Sequence, residues 1–241
     1  MQEQTATPFS PSLDCTGNRL LEQLPREVLA LLGDAVEKVH LPAGGLLATA
    51  GQPVRTAYFP IDSVLSLVHT DVDGTTIQVG LVGREGMLGI GACLNGAHGA
   101  GALVLAGGHA YKISGRVLRE VFQSDATLRD VLLVYAAALL GQAWQIAICT
   151  RHHPPERQLC TLLLLVLDRS PVPELAMTHD LMARLLGVRR ETVSQAAMRV
   201  QEKGYVRYSR GHIRVLDRPG LERQACGCYV RQRVLAANFG R

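Results

Sequence analysis

HDLMARLLGVRRETVSQAAM, residues 179–198, carries a single glycine, Gly187, with the small Ala183 four residues before it and two arginines just after. Two helices that cross near a right angle need a small residue at the crossing, and the turn between them needs a residue that tolerates positive φ. With His179 as the first position, Ala183 lies at the crossing and Gly187 in the turn. Met182, Leu186, Val188, Val193 and Ala196 then fall inward and are all apolar. Arg189, Arg190, Glu191, Ser194 and Gln195 fall outward and are all polar. Thr178 precedes the unit and can cap its first helix through the hydroxyl. The spacing predicts a helix-turn-helix whose second helix offers base-reading side chains to a DNA groove. A solvated structural pair of helices is the alternative, and it gives no reason for Ala, Gly and the Arg-Glu start to coincide.

Downstream, EKGYVRYSRGHIRVLDR (202–218) has two short β-runs, Tyr205–Tyr208 and His212–Leu216, around a Ser-Arg-Gly turn. A basic-tipped hairpin after a recognition helix is a wing, able to reach phosphates with Arg210 and Arg214; a hairpin that merely packs the domain is the other reading. Charge supports the wing. Residues 1–150 hold 9 basic against 13 acidic residues, whereas residues 151–241 hold 16 against 8. A basic C-terminal third on an acidic remainder suits a polyanion-binding module attached to something else.

Upstream, the Pro154-Pro155 pair ends one helix and can open the next, so a domain boundary is placed there. ERQLCTLLLLVLDRS then reads as a core helix. Before the prolines a helix is expected from about Ala126 to Cys149, in which Leu128, Leu132, Tyr135, Leu139, Gln142, Ile146 and Cys149 recur at spacings of four and three. That is a heptad seam, and it wants a partner helix. Val131–Cys149 holds 19 residues without a charge, near the minimum for a membrane span. Gln142, Gln145 and Gly141 dilute its apolar content, so it reads as a helix buried in an interface, with no membrane partner expected.

From His40 to about Ser114 short β-runs such as TAYFP, SVLSLVHT, TTIQVGLVG and ALVLAGGHAYKI alternate with turn signals, and 16 of the 24 glycines lie between positions 33 and 115. Glycine that dense in short strands fits a compact antiparallel barrel or roll. NRLLEQLPREVLALLGDAVEKV, by contrast, has helical spacing broken by Pro25. The fold class expected is α+β: an N-terminal antiparallel, jelly-roll-like β-roll, a long dimerisation helix and a C-terminal winged helix-turn-helix. The divisions expected are a flexible tail (1–18), an effector roll (19–125), the dimerisation helix (126–153) and the DNA-binding domain (154–241). The opening MQEQTATPFSPSLDC has neither a basic start nor an apolar core, so no secretory signal is expected. Six cysteines, at 15, 93, 149, 160, 226 and 228, show no framework spacing and read as reduced thiols of a cytoplasmic protein.

The order of glycine-rich roll, long helix and winged helix, with LLGVRRETVS as the recognition element, resembles the Crp/Fnr family of bacterial transcription regulators. The likeness runs from about Asn18 and is most specific at Gly187-Val188-Arg189-Arg190-Glu191-Thr192-Val193, where the family has Gly, two residues and Arg-Glu-Thr-Val. The resemblance implies a homodimer that binds double-stranded DNA and works with RNA polymerase, with Thr178, Arg189, Arg190, Glu191, Thr192, Ser194, Gln195, Arg210 and Arg214 at the DNA and Leu128, Leu132, Tyr135, Leu139, Gln142 and Ile146 at the dimer contact. Arg190 and Glu191 would read base edges, an arginine fork matching guanine and a carboxylate accepting from cytosine. Gln195 stands where the family often has arginine, which points to a different operator, since glutamine prefers adenine.

The family's cyclic-nucleotide members hold the ribose with a glutamate and the cyclic phosphate with an Arg-Ser or Arg-Thr pair. Glu85, with Gly86 and Met87, could stand for the first part of that site, although Met87 also reads as core. No arginine lies between Arg84 and Arg116, and Gly86, Gly89 and Gly91 alone would make a weak anion nest. Cyclic nucleotide binding in the familiar mode is therefore not expected. Nor is an iron–sulfur cluster, because Cys15 is the lone N-terminal cysteine. Cys149, His152 and His153 in CTRHH, and Cys226 and Cys228 in CGC, suggest a metal, haem or redox sensor as the alternative function, yet two ligands close no tetrahedral site. His98 and His109 read as surface residues. No cofactor is expected. No Walker loop, nucleophile elbow or HExxH motif is present, so no enzyme class is indicated.

Overall fold

The computed structural model describes residues 15–94 and 96–238. Helix α1 (Arg26–Leu32) leads into strands β1 (Val36–Leu41), β2 (Leu46–Ala48), β3 (Thr56–Pro60), β4 (Val64–Thr70) and β5 (Thr76–Val82), a short α2 (Gly91–Leu94), and β6 (Gly101–Ala106) and β7 (Gly108–Ser114). Two antiparallel sheets form the roll, ordered β1-β7-β3 and β2-β6-β4-β5. Alternation drives this. In β3 the side chains of Ala57 and Phe59 are fully buried while those of Thr56 and Tyr58 are only half-buried, the period-2 alternation of a pleated strand.

Two expectations change at the N-terminal edge. DAVEKV continues the helical spacing of α1, yet Val36–Leu41 is a strand, paired from Val36↔Ile113 to Leu41↔Gly108. Pairing with β7 along its whole length overrides a weak local preference. The tail expected to run to residue 18 lies outside the described residues up to 14, but from Cys15 it is packed down. Cys15 and Asn18 are buried, and the Asn18 amide donates to the Pro60 and Gly86 carbonyls at 2.8 and 3.0 Å.

Helix α3 (Gly115–Ser124) precedes α4 (Ala126–His152), which Asp125 caps by accepting from the Leu128 amide at 2.8 Å. At 1.5 Å per residue α4 is about 40 Å long. It passes for a membrane span by length and apolarity, but its buried glutamines are hydrogen-bonded to protein groups. Its heptad seam also needs correction. Leu128, Leu132, Tyr135 and Gln142 are buried against the same chain, and Leu139 and Ile146 are half-buried. Gln142 pairs with Leu81 like a strand residue, accepting from its amide at 2.8 Å and donating to its carbonyl at 3.2 Å. The Tyr135 hydroxyl donates to the Met87 carbonyl at 2.7 Å. Periodicity reports that a face has a partner and not which chain supplies it; here the roll does. The opposite face carries exposed Leu133, Val134, Leu140, Trp144 and Ile148.

After Pro154, α5 (Pro155–Leu167) is the buried centre of the C-terminal unit, followed by β8 (Glu174–Ala176), α6 (His179–Leu186), α7 (Arg190–Glu202), β9 (Val206–Ser209), β10 (His212–Val215), α8 (Arg218–Gln224) and α9 (Cys228–Asn238). Strand β8, unforeseen in the sequence, joins the wing hairpin in the order β8-β10-β9. The C-terminal core is continuous with Val64, Leu81 and Leu105 of the roll.

Candidate nucleic-acid interface

The turn behaves as its sequence requires. Gly187 closes α6 in the left-handed region, at φ +63°, and the Val188 amide returns to the Ala183 carbonyl at 3.0 Å. Thr178 caps α6 by accepting from the Leu181 amide at 3.1 Å. Met182, Ala183, Leu186, Val193 and Ala196 are buried, and Val188 is half-buried. This fixes the start of α7 at the surface. Arg189, Arg190, Glu191 and Gln195 are exposed there, and Thr178 is exposed beside them.

Arg190 meets Asp180 at 3.4 Å, with both side chains 64% exposed. An exposed pair of this kind holds its arginine by less than about 1 kcal/mol. Arg190 is therefore free to swing to a base edge. Thr192 and Ser194 are placed differently, both half-buried. The Ser194 hydroxyl lies 2.9 Å from His179 Nδ1, and the His179 ring stacks on Tyr208 with centroids 4.4 Å apart. One histidine thus links α6, α7 and the wing. Its Nε2 is buried without a partner among the described residues. Burial, and then Arg190 nearby, lowers its pKa, with Asp180 opposing.

The wing turns at Arg210 and Gly211, both at positive φ (+48° and +83°), the backbone of a two-residue hairpin that matches strand twist. Arg210 and Arg214 are exposed. The Gln201 side chain accepts from the Tyr208 amide at 2.8 Å and ties the wing to α7.

Comparisons with known proteins agree with this geometry. Residues 157–224 match the family model of a Crp-like helix-turn-helix domain, and residues 38–125 that of a cyclic nucleotide-binding domain. Together the two matches take in most of the chain. The chain belongs to the Crp/Fnr family. Among solved structures it is similar to FixK2 of Bradyrhizobium japonicum (TM-score 0.67, 16% identity, covering 80% of this chain and 98% of that one). It is also similar to a Crp/Fnr-family transcriptional regulator of Thermus thermophilus (TM-score 0.63, 23% identity, 78% and 98%). A third is the c-di-GMP-responsive global regulator CLP of Xanthomonas campestris (TM-score 0.60, 16% identity, 79% and 99%). No curated protein matches the chain in sequence.

Within this Crp/Fnr fold the roll's candidate effector residues are already engaged. Glu85 receives Arg169 Nε at 2.5 Å, both side chains being less than a tenth exposed, and Arg169 Nη1 also donates to the Leu165 carbonyl at 2.9 Å. Arg169 follows α5, so the ion pair joins the roll to the DNA-binding unit. Gly86 lies against Tyr135, where a Cβ would come within 2.7 Å of the ring. Met87 is core, 1% exposed. Glu85 does border a cavity of about 460 Å³ with Arg19, Arg84, Asp168, Arg169 and Arg233, outside the roll's interior. His109, expected at the surface, is half-exposed and meets Asp62 at 3.2 Å.

The cysteines bring the largest surprise. Cys149 and His153 at the end of α4 meet Cys226 and Cys228 at the α8–α9 turn, with all four ligand atoms within 4.8 Å of one another; His152 points elsewhere, exposed. Cys149 hydrogen-bonded to its sulfur holds the Cys226 thiol well below the ordinary range, at about 5. The same contact, then burial, pushes Cys149 up, and burial first of all raises Cys228. The sequence offered half of this constellation twice, as Cys-x-x-x-His and Cys-Gly-Cys, with nothing to say that the halves meet.

Proposed function

We propose that this protein is a homodimeric, cytoplasmic transcription regulator that reads a near-palindromic DNA site through α7, with its wing on the flanking phosphates. The exposed start of α7 carries this reading. Arg190, Glu191 and Gln195 stand outward on a helix held rigidly from behind, which is what base recognition in the major groove asks of side chains. Arg189, Arg210 and Arg214, with the exposed Thr178, would add phosphate contacts. The dimer would use the exposed apolar stripe of α4, from Leu133 to Ile148, in place of the inward residues expected from the heptad. Half-sites would then lie about one helical turn apart, roughly 34 Å. RNA polymerase is the partner through which such binding acts on transcription.

The roll does not take cyclic AMP in the family's familiar mode on this reading. Its glutamate is held by Arg169, and no arginine follows before Arg116. A buried phosphate without a cationic partner is poorly compensated.

Selection from a random duplex pool by the purified full chain, followed by gel shifts, tests both parts. An enriched sequence with two related half-sites, bound equally with and without cyclic AMP, is expected. Retention without sequence enrichment would overturn the DNA reading, and a cyclic-AMP-dependent shift would overturn the second part.

A further inference from the structure

Cys149, His153, Cys226 and Cys228 come from segments 77 residues apart along the chain, yet they present three sulfurs and one ring nitrogen to a single point. Cys149 Sγ and Cys226 Sγ are 3.4 Å apart, as are Cys228 Sγ and His153 Nδ1. A tetrahedral ion with metal–sulfur bonds of about 2.3 Å holds its ligands about 3.8 Å apart, so four atoms within 4.8 Å need shift by less than an ångström to enclose one ion. The same span is too small for a multinuclear cluster. We infer that these four residues form a binding site for one thiophilic divalent ion of the zinc class.

The surroundings fit thiolates. Gln145, buried, donates its amide N–H to Cys228 Sγ at 2.9 Å. The Thr161 hydroxyl accepts from the Cys226 amide at 3.3 Å, which leaves its own proton for Cys226 Sγ at 3.1 Å. Donors aimed at ligand sulfurs from a surrounding shell tune and orient a metal site. The three cysteines form a small buried cluster of their own, whereas His153 is half-buried and gives a way in. With the ion bound all three cysteines are thiolates, any remaining thiol protons having gone to solvent, and the site carries a net charge of −1 that Gln145 and Thr161 help to hold. Cys149 lies in the last turn of α4 and His153 is the residue that caps it, its amide donating to the Cys149 carbonyl at 3.0 Å. Cys226 and Cys228 sit either side of Gly227, at the junction of α8 and α9. The ion would therefore rivet the end of α4 to the DNA-binding unit, across the break at Pro154-Pro155. Occupancy becomes a second input to α7, an effect that rests on the DNA reading above and is read separately from metal binding.

Full-length protein purified under reducing conditions should carry zinc, and metal-stripped protein should take up one Co²⁺ per chain. The cobalt form should show the strong visible bands of tetrahedral coordination and a thiolate-to-cobalt charge-transfer band. Cys226→Ser and Cys228→Ser should abolish these bands, and His153→Ala should weaken binding at least tenfold. His153→Cys should keep the stoichiometry and intensify the charge transfer. Cys93→Ser serves as a control and should change nothing. Stoichiometric cobalt uptake with tetrahedral bands supports the site even if a cysteine variant fails to fold. Absence of uptake, octahedral cobalt, bands that survive in folded Cys226→Ser, or a Cys149–Cys226 disulfide in place of metal would each overturn it. Gel shifts with and without chelator then report the effect on DNA, so a failed DNA reading leaves the metal result standing.

Discussion

The two halves that match the family models differ in what their polar side chains do. In the DNA-binding unit the apolar residues of α6 and α7 are spent inward, and Arg189, Arg190, Glu191 and Gln195 are left facing water. In the roll the equivalents of a ligand site are spent inward: Glu85 on Arg169, the Gly86 backbone on the Tyr135 ring, and the Met87 carbonyl on the Tyr135 hydroxyl. One half keeps its recognition surface open, while the other has turned the same region into a joint. Helix α4 shows both states on one element, with Gln142 inward on Leu81 and Trp144 outward at 66% exposure. A fold match therefore says less about function than the direction in which each polar group is satisfied. Inward groups should cost stability when removed. Outward groups should cost binding.

The largest effect belongs to the joint. Removing one member of a buried ion pair strands the other, and typically costs about 3–5 kcal/mol. Glu85→Ala should reach that range in urea unfolding, because Arg169 already has one nitrogen, Nη2, without a partner among the described residues. Replacing both residues with methionine should recover most of the loss. A Glu85→Ala protein as stable as the parent would mean that the carboxylate is free for a ligand, and the contrast between the halves would fail.

The two faces of α4 come next. Trp144→Glu should disrupt association by about 2–4 kcal/mol, the range of an aromatic residue central to an interface, with folding intact. Gln142→Leu should leave the dimer unchanged but cost about 1–3 kcal/mol of stability, since the Leu81 amide loses its acceptor in a buried place. Sedimentation equilibrium beside urea unfolding separates these outcomes. The reverse pattern would restore the inward heptad as the dimer contact.

At the open surface, Arg190→Ala should weaken specific DNA by about 1–3 kcal/mol and relax preference at one base pair per half-site. Arg210→Ala should weaken all sequences alike and lower the salt slope by about 1 per wing. Uniform loss in both variants would remove Arg190 from base reading.

Much of this was legible locally and little of it at a distance. The Ala183–Gly187 spacing specifies a turn within five residues, so sequence alone placed it, down to the positive φ of Gly187. The heptad of α4 was also read, but its partner was assigned to a second chain when Leu81 and Met87 of the same chain supply it. Glu85 meets a residue 84 positions away, and Cys149 one 77 positions away. Neither Arg169 nor Cys226 carries a local signature of that meeting, because chain topology decides it. DAVEKV failed for the opposite reason: its local signal was read, and pairing with β7 overrode it.

The smallest effect tests the boundary between the two kinds of group, at His179. Its ring is enclosed by Ser194 on α7 and Tyr208 on the wing, so it belongs to the inward set although it lies beneath the recognition surface. Burial, with Arg190 close by, disfavours the imidazolium, while Asp180 on the same helix favours it less strongly. The folded-state pKa therefore lies below the ordinary value of 6.5. With a depressed pKa the folded protein binds fewer protons than the unfolded chain at pH values below that point, so stability is complete above it and is lost as pH falls toward the folded-state value. The loss should be confined to this window and should vanish in His179→Phe, which keeps the stack on Tyr208 and cannot titrate. The ring-proton resonance of His179 should show a midpoint under 6.5, together with line broadening in the wing as protonation proceeds. A midpoint at or above 6.5 would place the ring among the open, solvated groups, and the tie between α7 and the wing would then rest on Gln201, on the Tyr205 amide bonded to the Val200 carbonyl and on the shared core.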